Sequence, residues 1–351
     1  MRIVVNDIAA SNGGALTVLK DFYNCIREHD TENEWIFLLG ADLLEETHNI
    51  KIITLPQIKR SWLKKLVFDL FTGRHFINKL NPDVIFSLQN TITFGAKAPQ
   101  IIYLHQSIPF QTTKKFSFLK SAERILAVYQ YLIGSIIKLS AKNCHKVIVQ
   151  TKWMQEAVMK QCRLPLEKVM RVTPTVADLS AYNTDIPFDP TQFFCPTAPA
   201  IYKNNDAIFK ACELLQKKAL RCEVTLTIPQ QYSNDNVHCV GGLPYEEVIT
   251  RYAGSTLIFP SYIETFGFPM AEARKVGTIV LASDCPFSHE VLEGYENAYF
   301  FDPFKPTELA ALMERVITGD IEKKVSVDEA ADHCDSWLPI LEEVIRFQPA
   351  N

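Results

Sequence analysis

The stretch "TLIFPSYIETFGFPMAEARKVG" (256–277) decides the reading of this chain. "TLIFPS" reads as a buried strand, "YIETFGF" as the loop at its C-terminal end, and Pro269 as the first residue of a helix, where its missing N–H costs nothing. Glu264 then falls in the loop and Glu272 in the first helical turn. Loops beyond the carboxyl ends of strands are where open α/β sheets bind ligands, and free N–H groups at a helix start attract phosphate. Carboxylates repel phosphate but accept hydrogen bonds from vicinal hydroxyls, so the pair suits the diols of a ribose or a hexose. Gly267, lacking Cβ, lets the backbone approach a ligand, while Phe266 and Phe268 exclude water or pack the loop.

Working outward, β-rich runs alternate with helical stretches. "RIVV" (2–5), "WIFLL" (35–39), "DVIFSL" (83–88), "IIYL" (101–104) and "KVIVQ" (146–150) are near-continuous apolar runs, the mark of a parallel sheet. Leu16, Leu19, Phe22 and Ile26 fall at helical spacing after Gly13-Gly14, and further helices are predicted over about 61–80 and 118–141. "TPTVADLSAYNTDIPFDP" (173–190) shows neither period and reads as a linker. The alternation then restarts with "QFFC" (192–195), a helix from about 204 to 218, "EVTLTI" (223–228), "NVHCV" (236–240), "TLIFP" (256–260), "TIVLA" (278–282) and "YFF" (299–301). The expectation is an α/β protein of two Rossmann-like, doubly wound parallel-sheet domains facing a cleft: 1–175, a linker over 176–190, and 191–335. A last helix within 336–351 is expected to pack back across the join.

Length and composition agree with two cores: 351 residues, 47% of them apolar and 22% charged. Nine scattered cysteines without a C-x-x-C pair argue against a disulfide framework or zinc cluster and for a reducing, cytoplasmic compartment. No secretory signal is expected in "MRIVVNDIAASNGG", and "ILAVYQYLIGSII" (125–137) is too short to span a bilayer. Charge is uneven: residues 1–175 carry 23 Lys+Arg against 14 Asp+Glu, a net of +9, and residues 176–351 carry 13 against 26, a net of −13. In the basic half, "PQIKRSWLKKLVFDLF" (56–71) and "FQTTKKFSFLKSAERILAVYQYLIG" (110–134) interleave Lys/Arg with aromatic and aliphatic residues. Either these are ordinary helices with solvated lysines, or they form a surface for peripheral contact with an anionic membrane or lipid-linked acceptor. No nucleic-acid-binding motif accompanies the basic residues.

The opening segment resembles the Glu-x7-Glu signature of retaining, nucleotide-sugar-dependent glycosyltransferases of family 4, which have the two-Rossmann-domain GT-B fold. "GGLPYEEVITRYAGSTLIFPS" (241–261), "VLASDCPFSHEVL" (280–292) and "AYFFDPFKPTELAALMERVI" (298–317) are similar to what that family carries in the same order. The resemblance implies that Glu264 contacts donor-sugar hydroxyls, that Glu272 binds the nucleotide ribose, and that Phe266, Gly267 and Phe268 offer N–H groups to diphosphate or sugar. It further implies a glycine-rich loop at Gly13 and Gly14, a donor-sugar contact or polarising role for His105, and a cation for the leaving diphosphate at Lys203. The family's arginine five residues before that lysine is replaced by Ala198, leaving backbone donors around Thr197 to assist. Gly241 to Pro244, including Leu243, match the nucleobase-contacting segment. Gln106, Ser107 and Asn90 are acceptor-side candidates. No Asp-x-Asp triplet occurs, so no metal or other cofactor is expected beyond the nucleotide-sugar co-substrate and a glycan or lipid-linked acceptor. The role implied is assembly of bacterial surface polysaccharide such as lipopolysaccharide O-antigen or capsule; the alternatives are an epimerase-like GT-B enzyme or a non-catalytic scaffold.

Overall fold

The computed structural model describes residues 1–10, 13–179, 181–182, 184–324 and 337–347. Ser180 and Asn183 of the expected linker, and the expected junction at 335 and 336, lie outside the described residues.

The first sheet holds β1 (Arg2–Asp7), β2 (Glu34–Leu39), β3 (Ile50–Thr54), β4 (Val84–Ser87), β5 (Gln100–Leu104), β6 (Lys146–Val149) and β7 (Val169–Arg171). Its order is β3-β2-β1-β4-β5-β6-β7 and every pairing is parallel. The second holds β8 (Gln192–Cys195), β9 (Glu223–Leu226), β10 (Val237–Cys239), β11 (Thr256–Phe259), β12 (Val280–Ser283) and β13 (Ala298–Phe301), in the order β10-β9-β8-β11-β12-β13, again all parallel. In each sheet the order reverses once, between β1 and β4 and between β8 and β11, and the crevice beyond the strand ends at such a point is where doubly wound folds bind ligands.

The apolar runs follow from burial on both faces. Ile3 and Val5 of β1 pack with Leu19, Phe22 and Ile26 of the helix Gly13–His29, while Val4 packs with Phe68 and Ile77 on the other face. The helix Trp337–Arg346 belongs to the first core: Ile340, Leu341 and Val344 are buried there, Trp337 lies 5.6 Å from the Phe22 ring, and Glu343 meets Lys146 at 3.1 Å. The chain therefore crosses back after completing the second sheet.

Two strands were not anticipated. β3 is a partly exposed edge strand whose Lys51 pairs with Glu34, and β7 spans three residues, so neither presents a long apolar run. The helices expected over 61–80 and 118–141 are interrupted. The first runs as Trp62–Val67, a wider π-type turn at Phe68–Thr72, and Gly73–Lys79; the second as Arg124–Ala127, Val128–Ile133 and Gly134–Asn143. At Gly73 a Cβ would lie 2.7 Å from the Phe68 carbonyl oxygen, which is why the turn closes on glycine. Among the described residues no helix is long and apolar enough to cross a membrane.

Candidate active site

β11 is buried at all four positions and delivers the chain to the switch point of the second sheet. Gly267 turns it into the helix Phe268–Lys275 at φ 105°, a conformation costly to any residue with a Cβ, and a Cβ there would also lie 2.6 Å from Met270 Cε. The helix begins one residue before Pro269, so Glu272 lies in its second turn rather than its first, beyond the strongest reach of the helix dipole. The amides of Phe266, Gly267 and Phe268 donate to no group among the described residues, as expected of a helix start. Phe266 is buried and Phe268 exposed, their rings 5.1 Å apart and nearly perpendicular.

Glu264 Oε1 accepts Lys203 Nζ at 2.5 Å. Lys203 ends a short turn, Ile201–Lys203, ahead of the helix Asn205–Lys217 that follows β8, so the two sides of the switch point meet through this pair. Burial alone would depress the lysine's pKa, but the charge and hydrogen bond of Glu264 outweigh it and hold the ammonium above its ordinary value. Glu272 has different company: Tyr245 donates its hydroxyl to Oε1 at 3.0 Å and Tyr252 to Oε2 at 3.1 Å. Burial raises the Glu272 pKa, and the two hydroxyls oppose that rise. Each carboxylate oxygen keeps a lone pair for a further donor.

Glu272 lines a cavity of about 350 Å³ between the domains, with Gly14, Phe268, Tyr103, Gln150 and Trp337. The structure thus brings Gly14, Phe268 and Glu272 together; Gly13 is the first residue of the adjoining helix. Glu264 opens instead onto a neighbouring cavity of about 370 Å³ shared with Tyr262, Phe110, Trp153 and Phe287. The carboxylates therefore flank the loop from two cavities.

His105 follows β5 at the cleft edge of the first sheet. Its amide donates to Asn90 Oδ1 at 2.8 Å, which turns Asn90 Nδ2 toward the ring, 3.2 Å from Nε2. Nε2 is thereby the acceptor and the ring proton belongs on Nδ1, a buried atom with no partner among the described residues. Burial pushes the His105 pKa down to about 4, so the imidazole is neutral near pH 7. The Thr197 amide is not available to a phosphate: it donates to Thr227 Oγ1 at 2.7 Å, and the Thr197 hydroxyl donates to Asn205. Gly241 adopts φ 78° and donates its amide to Ile228, while Leu243 packs partly buried against the core that holds Tyr252.

Several contributors were not singled out from sequence. Tyr245 and Tyr252 stand seven apart on the helix Tyr245–Gly254, a spacing that puts both hydroxyls on one face and was there to be read. Asp7, at the end of β1, is buried with Oδ2 unpartnered, and burial raises its pKa to about 7 against the pull of Lys65, the Ala10 amide and Lys59. The domains are also joined beside the loop. The Thr265 carbonyl accepts both Thr151 Oγ1 at 2.9 Å and Trp153 Nε1 at 3.0 Å, and Glu290 takes the amides of Lys152 and Trp153 at the start of the helix Lys152–Cys162.

Residues 189–333 match the family described as Glycosyl transferases group 1. No protein of curated function matches the chain. Among solved structures, HepE of Anabaena, in complex with UDP and glucose, superposes with a TM-score of 0.62 at 18% identity over 92% of each chain. The lipopolysaccharide outer core galactosyltransferase WaaB gives 0.62 at 15% identity over 100% of this chain and 96% of its own, and a glycosyltransferase from Rickettsia africae gives 0.64 at 15% over 99% of each. The chain therefore has the GT-B architecture of two parallel-sheet α/β domains, and its second domain is similar to glycosyl transferases group 1 over residues 189–333.

Proposed function

We propose that this protein is a retaining, metal-independent glycosyltransferase of the family 4 type, moving a sugar from a nucleoside-diphosphate donor to a hydroxyl of a glycan or lipid-linked acceptor in surface-polysaccharide synthesis. The observation that carries the reading is the loop at the β8/β11 switch point, where unpartnered amides of Phe266 to Phe268 lie between two carboxylates and Lys203 is paired with Glu264. In this reading the diphosphate takes the amides and draws Lys203 from Glu264, which stabilises the departing charge. Glu264, released, accepts donor-sugar hydroxyls, while Glu272 receives the ribose diol on the lone pairs its tyrosines leave open. Neutral His105, its Nε2 held by Asn90, stands at the edge of the opposite domain. The names of HepE in complex with UDP and glucose and of the galactosyltransferase WaaB support a UDP-sugar as the first donor to try.

A thermal-shift panel of nucleotide sugars tests this directly. A donor at 100 times its Kd stabilises by about 2.7 kcal/mol, and Glu264→Gln and Glu272→Gln should each lose donor turnover with the fold intact. Stabilisation by no nucleotide sugar, or full turnover in both variants, would refute the proposal; isomerisation of donor without acceptor would favour an epimerase.

A further inference from the structure

The cavity of about 370 Å³ that Glu264 opens onto adjoins a second one of about 660 Å³. Both are walled by the helix Lys152–Cys162 of the first domain and the helix Pro286–Val291 of the second, and both share Trp153, Glu156 and Pro286. Lys152, Glu156 and Lys160 recur at every fourth position, which puts them on one face of their helix. Lys152 borders the larger cavity, Lys160 the smaller, and Glu156 both. The two cavities therefore lie end to end along that face, over about 12 Å from Lys152 to Lys160. That length exceeds one sugar ring.

The walls of this channel select against negative charge. Glu156, Glu264, Glu290, Glu293 and Glu296 line it against Lys152 and Lys160, although one wall belongs to the basic half of the chain. Glu156 and Glu293 are exposed and have no ion pair among the described residues. The apolar part is aromatic. Trp153, its Nε1–H donated to the Thr265 carbonyl at 3.0 Å, stands where the cavities meet, and Phe300 stacks with the His289 ring at 4.1 Å in the larger one. Tyr262 lines the smaller cavity with Glu264; it is 3% exposed and its hydroxyl has no partner among the described residues. A buried hydroxyl without a partner is costly, and a hydrogen-bonding ligand in the cavity removes that cost. Sugar rings pack their C–H faces on aromatic side chains and donate their hydroxyls to carboxylates, which matches this lining. Phosphate or uronate groups would meet like charge, and a hydrocarbon tail would bury carboxylates without partners.

We infer that this channel holds the acceptor as a chain of sugars without acidic groups, its reacting end beside Glu264 and Tyr262 and its other units along Trp153 toward Phe300. This rests on the transferase reading and narrows its acceptor to one chemical class. The full chain is titrated calorimetrically, with and without UDP, against cellotetraose, maltotetraose, N-acetylchitotetraose and tetragalacturonate, and against the single sugars of which each is built. At least one neutral tetrasaccharide should bind, at least about ten-fold more tightly than its single sugar. Tetragalacturonate should not bind. Combining Glu156→Lys with Glu293→Lys, both at exposed positions, should admit tetragalacturonate. Tyr262→Phe, which loses no hydrogen bond within the protein, should weaken the neutral chain about three- to ten-fold. Both variants should keep the wild-type stabilisation by the best nucleotide sugar of the thermal-shift panel, which shows them folded. Absence of any such stabilisation in the wild type refutes the transferase reading. With that stabilisation intact, four outcomes overturn the channel: no tetrasaccharide binds, single sugars bind as tightly as chains, the wild type takes tetragalacturonate as well as the neutral chains, or neither variant changes chain binding.

Discussion

Replacing Tyr252 by Phe isolates what holds Glu272 in place. The ring is fully buried, 5.6 Å from that of Phe194, and keeps its packing; only the hydroxyl that reaches Glu272 Oε2 at 3.1 Å is removed. A buried hydrogen bond to a charged acceptor contributes roughly 1.5–3 kcal/mol. Tyr245 is 39% exposed and makes the equivalent bond at 3.0 Å in contact with solvent, so Tyr245→Phe should cost only about 0.5–1 kcal/mol. The pH dependence gives the sign. Burial holds the Glu272 pKa above its unfolded value, so its contribution to stability is present below the unfolded pKa and is lost as pH rises through the folded one. Removing a hydroxyl that favours the ionised form raises the folded pKa further, and the cost of Tyr252→Phe should therefore be larger at pH 8 than at pH 4. Urea unfolding of wild type, Tyr252→Phe, Glu272→Gln and the double variant, followed by far-ultraviolet circular dichroism at both pH values, measures this. With a neutral acceptor the hydroxyl should be worth about half as much, giving a coupling near 1 kcal/mol. Equal costs at the two pH values, or a Tyr245→Phe cost matching that of Tyr252→Phe, would show that the hydroxyls do not stabilise a carboxylate.

Two further tests use the first domain. His105 has a depressed pKa, so its contribution to stability is full above about pH 6.5 and is lost as pH falls toward 4, amounting to at most about 3 kcal/mol; His105→Phe should flatten the unfolding midpoint over that window, and parallel pH profiles would sink the argument. Asp7 is the opposite case, an acid raised to about 7 by burial, whose contribution is present at low pH and lost as pH rises through 7. Asp7→Asn should gain about 1–3 kcal/mol over wild type at pH 8 and little at about pH 3.5, below the unfolded pKa, and an equal gain at both would exclude ionisation as the cause.

Much of the fold was legible because a parallel sheet buries both strand faces, leaving apolar runs such as "RIVV" and "TLIFP" that need no neighbour to be recognised. β3 and β7 escaped because edge strands with polar or few residues lack that mark. The helix breaks at Gly73 and Gly134 depend on contacts with Phe68 and Pro109, which spacing within a helix cannot encode. At the site, the strand, the turn at Gly267 and the helix after it could be read locally, and the structure adds the partners drawn from elsewhere. Lys203 reaches Glu264 across 61 positions, and the use of the Thr197 amide by Thr227 is a contact between β8 and β9 loops that no local pattern announces. The Thr197 amide is thus already bonded, whereas the amides of Phe266 to Phe268 have no acceptor among the described residues.

Thr265, whose carbonyl receives both Thr151 and Trp153, is the immediate chain neighbour of Glu264. A rotation that parts the two halves of the molecule has to break both of those bonds or drag the peptide with them. While those bonds hold, the backbone next to Glu264 moves with the first domain, so the aim of that carboxylate stays geared to the hinge angle until both are broken.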